Sequence, residues 1–90
     1  MRNLLNKGKN MRAFVTQEQR QIAEWNDRII GRRKRLKITQ GDMAKVIGKS
    51  RTAYTGKEND LGEIRLKDFL LVAHELGFDV QLKDKEAVNG

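Results

Sequence analysis

The chain has 90 residues, carries 19 Lys/Arg against 12 Asp/Glu for a formal net charge of +7, and contains one His, no Pro and no Cys. One domain with a modest core is expected, leaving little for a catalytic cleft, and the missing cysteines exclude a disulfide framework, a thiolate zinc site and a Cys nucleophile. The charge is lopsided: residues 1–59 hold 15 Lys/Arg and 5 Asp/Glu, residues 60–90 hold 4 and 7, so the basic half is suited to a polyanion, although a charged surface that only confers solubility has the same composition.

Residues 1–15 hold Arg2, Lys7, Lys9 and Arg12 with no acid and are expected to form a flexible basic arm. Met1–Lys7 lacks the apolar stretch of a secretion signal, and no apolar run approaches the roughly 20 residues of a membrane span; a cytoplasmic location away from membranes is expected. Thr16-Gln-Glu-Gln19 has the pattern of a capping box. Ile22, Trp25, Ile29 and Leu36 then recur at helical spacing, with Arg33 in phase, which predicts a long first helix over 18–36. Its last turns carry Arg28, Arg32, Arg33, Lys34 and Arg35, with Lys37 just beyond. Cations suit the negative end of the helix dipole, but so many exceed what it needs.

Thr39, with Asp42 three residues on, caps a second helix over 40–47 whose Met43, Ala44 and Ile47 share one face. Gly48 marks a stop where positive φ costs little. Ser50 caps a third helix over 51–58, with Ala53 and Tyr54 turned inward, and 59–62 reads as a loop. Leu66, Phe69, Leu70, Ala73 and Leu76 predict a last helix closed by Gly77. From Phe78 to Lys83 the period changes to 2, with Phe78, Val80 and Leu82 on one side, which predicts a short strand. A lone strand needs a partner, and the simplest partner is the same strand of a second copy. The expected organisation is an arm over 1–15, a helical domain over 16–77, a dimerisation strand over 78–83 and a tail over 84–90.

Two short helices joined by a glycine turn are unstable alone and must pack across each other. Ala44 lets them approach, Gly48 turns the chain, and Met43, Ile47 and Tyr54 fill the junction. The third helix then presents Ser50, Arg51, Thr52 and Thr55 outward, side chains of the kinds that read base edges. Thr39-Gln40, Met43-Ala44, Ile47-Gly48, Ser50 and Glu58-Asn59 resemble the signature of the Cro/phage-repressor class of helix-turn-helix domains, over about 25–83. Residues 58–82 are moreover similar to the HipB type of antitoxin, in which a loop, a last helix and a C-terminal strand follow in this order.

The resemblance implies an all-α, five-helix-type DNA-binding domain with a short C-terminal β-strand that pairs in a dimer. It implies a dimeric repressor of its own operon that binds an inverted-repeat operator and a cognate toxin protein. Gln40 would bond a phosphate, and Arg33 would pair with Glu58. Arg51, Thr52 and Thr55 would face bases, while Lys49, Ser50 and Asn59 would lie against the DNA backbone, and Arg32 and Lys34 would face phosphate or solvent. Each also has a plain structural reading, as a cap, a helix former or solvated surface. Three residues depart from the family pattern: Lys49 and Lys57 stand where apolar residues are usual, and Gly56 lies inside the recognition helix. They put the length of that helix in doubt. A stand-alone phage-type repressor and a protein-interaction module without DNA binding are the alternatives. No cofactor or metal site is indicated, and His74 beside Glu75 reads as a surface residue, so an enzyme is not expected.

Overall fold

The computed structural model describes residues 15–85. The arm expected over 1–15 lies, but for Val15, outside these residues, as does the end of the tail. Among the described residues there are four α-helices: α1 (Gln17–Arg35), α2 (Gln40–Val46), α3 (Arg51–Asn59) and α4 (Leu66–Glu75). A single 3-10 turn, Leu61–Glu63, links α3 to α4. A fifth helix is therefore not present there; the chain from Asp60 to Arg65 is too short for more than that turn.

Side-chain caps start the first three helices. Thr16 Oγ1 accepts from the Gln19 N–H at 3.0 Å while Gln19 Oε1 accepts from the Thr16 N–H at 2.9 Å. Thr39 and Asp42 repeat the exchange at 3.0 and 3.1 Å, and Ser50 Oγ accepts from the Ala53 N–H at 3.1 Å. Each cap satisfies donors that a first helical turn leaves unpaired.

Three helices end in one way. Lys37, Gly48 and Gly77 adopt φ of 61°, 67° and 84°. Around each, a 6→1 and a 5→2 backbone bond close the helix: Ile38 N–H to Arg33 O and Lys37 N–H to Lys34 O; Lys49 N–H to Ala44 O and Gly48 N–H to Lys45 O; Phe78 N–H to Ala73 O and Gly77 N–H to His74 O. This is the Schellman closure, for which glycine is the preferred residue. Lys37 adopts the same turn at a cost of about 1–2 kcal/mol.

Met43, Tyr54, Val72 and Leu76 are fully buried and form the centre of the core with Ile29, Ala44, Leu61, Phe69 and Ala73. Trp25 is half-buried and stacks on Phe69 with ring centroids 5.4 Å apart and planes 5° apart. The apolar stripe expected along α1 is only partly used. Ile29 and Arg33 are its buried residues, whereas Ile22 and Leu36 are exposed, as is Leu66 at the start of α4. The short helices that α1 packs on do not cover its length.

Residues 78–85 carry no regular secondary structure. The expected strand is thus not formed within one chain, because no other strand is available among the described residues to complete a ladder. Phe78 and Val80 are half-buried against the helices, and Leu82 is fully exposed.

Candidate nucleic-acid interface

The short segment 47–50 throws α3 across α2, with Ala44 buried between the helices. The start of α3 faces outward: Ser50, Arg51 and Thr52 are exposed, and so are Gly56 and Asn59 further along. α3 runs unbroken through Gly56 and Lys57 to Asn59, and half-buried Lys57 fits where an apolar residue is usual. A lysine stem can lie on apolar surface while its ammonium reaches water.

The far end of α3 is fixed by Glu58, which is 3% exposed. Arg33 grips it with both arms of the guanidinium, Nε to Oε2 at 2.8 Å and Nη2 to Oε1 at 2.9 Å. The Tyr54 hydroxyl donates to Oε2 at 2.6 Å and Gln40 Nε2 to Oε1 at 2.9 Å. Arg33 Nη1 also donates to the Ile38 carbonyl at 2.9 Å. One carboxylate thus joins α1, α2 and α3. Burial pushes the Glu58 carboxyl up, but the donors from Arg33, Tyr54 and Gln40 and the Arg33 charge outweigh it, so the group lies below its usual value. Burial, and then the bond to Glu58, push the Tyr54 hydroxyl well above its usual value.

A pH dependence follows. Glu58 is depressed in the fold, so its stabilisation is present above its ordinary value of 4.5 and is lost as pH falls through the folded value. Urea melts should show stability falling below about pH 4.5, and Glu58→Gln should flatten that slope. Asp42, held low by the Thr39 N–H and hydroxyl, adds a fall of the same sign that survives in the variant. A Glu58→Gln profile parallel to wild type would show that Glu58 is not the titrating group.

An open groove runs between the end of α1, the start of α2 and α3. Lys34, Lys37, Thr39, Gln40, Arg51 and Asn59 line it. Gln40 is half-buried; beyond its bond to Glu58, its Oε1 accepts from the Thr55 hydroxyl at 3.0 Å. An exposed recognition-type helix beside a basic groove is a shape that can receive a phosphate backbone.

A family model described as helix-turn-helix matches residues 29–82. The chain belongs to this family. It is the Cro/phage-repressor class of helix-turn-helix domains, a DNA-binding regulatory family and not an enzyme family. No curated protein and no solved structure matches the chain. The helix-turn-helix domain is accordingly that of a DNA-binding regulator. Among the described residues, no helix is long and apolar enough to cross a membrane. No group of three or more His, Cys, Asp or Glu comes together there as metal ligands would.

Within the helix-turn-helix domain, the residues singled out from sequence separate into groups. Arg51 and Thr52 are exposed on α3, Ser50 is exposed and caps it, and Asn59 lies at its end. Lys49 is half-buried in the turn. Thr55 is half-buried, and its hydroxyl donates to Gln40 Oε1. Arg32 does not reach this surface. Its Nη1 donates to the Leu76 carbonyl at 2.7 Å, and its guanidinium lies 4.1 Å above the Phe78 ring, with Arg28 at 5.2 Å. Arg32 therefore ties α1 to the end of α4. Lys34, expected beside it, does line the groove, as does Lys37. The period of α1 holds part of the signal: Ile29 and Arg33 point to the core, which sends 34 to another flank than 32, while Lys37 lies in the turn beyond the helix end.

Gly56 lies mid-helix on the exposed face, and a Cβ there would meet nothing within 4 Å. Gly56→Ala should stabilise the domain by about 1 kcal/mol, read as a higher urea midpoint with unchanged slope. A lower midpoint would mean that α3 is strained at this turn.

Proposed function

We propose that this helix-turn-helix domain is a sequence-specific transcriptional repressor that binds an inverted-repeat operator as a homodimer. The observation that carries the reading is the exposed start of α3, with Arg51 and Thr52 outward, beside a groove lined by Lys34, Lys37 and Gln40. Arg51 reads a guanine edge bidentately, and Thr52 contacts a neighbouring base. Ser50, Lys49, Asn59 and Gln40 hold the backbone and set the register without selecting sequence.

The tail over 78–83 supports the dimer, as a strand completed by the same strand of a second copy. Similarity of residues 58–82 to HipB-type antitoxins supports a finer reading: a cytoplasmic antitoxin that represses its own operon and binds a cognate toxin. The continuous α3 weighs against a domain that has lost DNA binding.

The test is a titration of duplex DNA, chosen by selection from random sequence, across a salt series. Neutralised phosphates release counterions, so affinity should fall steeply, by several powers of ten between about 50 and 200 mM salt if many phosphates are held. The selected sequences should form an inverted repeat with half-sites roughly 34 Å apart. Binding insensitive to salt, or selection of no sequence, would overturn the reading.

A further inference from the structure

We infer that Thr55 is a positioning residue for DNA binding: its hydroxyl fixes the Gln40 amide so that the remaining amide N–H donates to a backbone phosphate in the basic groove. This rests on the DNA-binding reading above. A glutamine amide can turn over, exchanging its donor and acceptor ends. Of its two neighbours on α3, the Glu58 carboxylate sets that choice, and the Thr55 hydroxyl, which can donate or accept, bonds the other end of the amide. The Glu58 carboxylate only accepts, so it takes Nε2 at 2.9 Å, and the Thr55 hydroxyl donates to Oε1 at 3.0 Å. Nε2 carries two hydrogens. One goes to Glu58, and the other has no acceptor among the described residues.

Gln40 lines the same groove as Lys34, Lys37 and Arg51, where an anion is the acceptor that matches. Thr55 is half-buried, and its one donor hydrogen goes inward to Gln40. Its role is to couple α3 to a phosphate-binding side chain on α2, which ties the register of the recognition helix to the DNA backbone. Arg33 completes the chain of bonds by holding Glu58 ionised from behind.

The experiment uses the full chain, a duplex selected by the wild-type protein and an unrelated duplex of equal length. Thr55→Val, which removes the hydroxyl and keeps the shape, should lower affinity roughly 3- to 10-fold, equally on both duplexes. Thr55→Ser should stay within about twofold of wild type because it keeps the donor. Thr55→Val should cost nothing further when Gln40 is already alanine. Ethylation of one phosphate per half-site should weaken wild type and no longer weaken Thr55→Val, which a merely structural role would not produce. Thr55→Ala replaces Thr55→Val if the latter melts early. The inference is overturned if wild type binds and both Thr55→Val and Thr55→Ala bind equally well. It is overturned too if their losses add to that of Gln40→Ala, or if the selected sequence changes at one position. A wild-type protein that binds neither duplex overturns the DNA-binding reading itself and the inference with it.

Discussion

Glu58→Ala should destabilise the domain by about 3–5 kcal/mol, because it leaves a buried charge without its partner. A small domain has only about 5–15 kcal/mol in total, so the variant should be close to unfolding at room temperature. The loss has several parts. Arg33, 8% exposed, would keep only the Ile38 carbonyl as an acceptor. The buried Tyr54 hydroxyl and the Gln40 amide would each lose theirs. Arg33→Ala should cost a similar amount by stranding the carboxylate. The double variant, with neither charge left to strand, should lose clearly less than the sum of the two. Urea melts of the four proteins test this, and additive losses would show that the pair is not coupled. The net value of the pair against two apolar residues is a separate and smaller quantity.

The legible parts of this domain were those written in local chemistry. Thr16-Gln-Glu-Gln19 and Thr39-Gln-Gly-Asp42 mark helix starts because a cap needs a side-chain oxygen at a fixed distance along the chain. Gly48 and Gly77 mark helix ends because positive φ suits glycine. Arg33 and Glu58 could be paired from sequence only through the family resemblance, since the two are far apart in the chain and no local pattern joins them. Lys37 carries no local mark of a helix end, yet it makes the same closure that the two glycines make. Charge alone does not say which flank of a helix Arg32 occupies; the Leu76 carbonyl and the Phe78 ring hold it beside the end of α4. The bond from Thr55 to Gln40 has no local signature, because its acceptor lies on another helix. A strand over 78–83 has no local signature beyond alternation, and whether it forms depends on a partner outside the single chain.

The second large effect is expected in that tail. Val80→Lys should break the proposed dimer and lower operator affinity on the order of 100-fold, the gain that linking two binding modules typically supplies. Residues 79–85 make no backbone–backbone hydrogen bond among the described residues, so their N–H and C=O groups are available for pairing. Phe78, held under Arg32, fixes where the segment leaves α4. Val80 lines a groove with Trp25, Arg28, Phe69 and Ala73, and Leu82 stands fully exposed beyond it. An antiparallel pair of such segments would bury the apolar sides of both and hold two α3 helices at a set distance. A lysine at 80 would bring two charges into that small interface. Sedimentation should then show monomers whose helical content is unchanged. If Val80→Lys, or truncation after Gly77, leaves a dimer of unchanged operator affinity, the tail packs only on its own chain and dimerisation lies elsewhere.

Whether the exposed start of α3 reads DNA sequence is tested most directly by selection of bound duplexes from random DNA by wild type and Arg51→Ala. Wild type should yield an inverted repeat. Arg51→Ala, a change at an exposed position that leaves the caps and the Glu58 cluster intact, should lose about 1–3 kcal/mol and relax the base preference at one position of each half-site. A sequence logo identical for the two proteins, at equal affinity, would contradict this role and place the reading face somewhere other than α3.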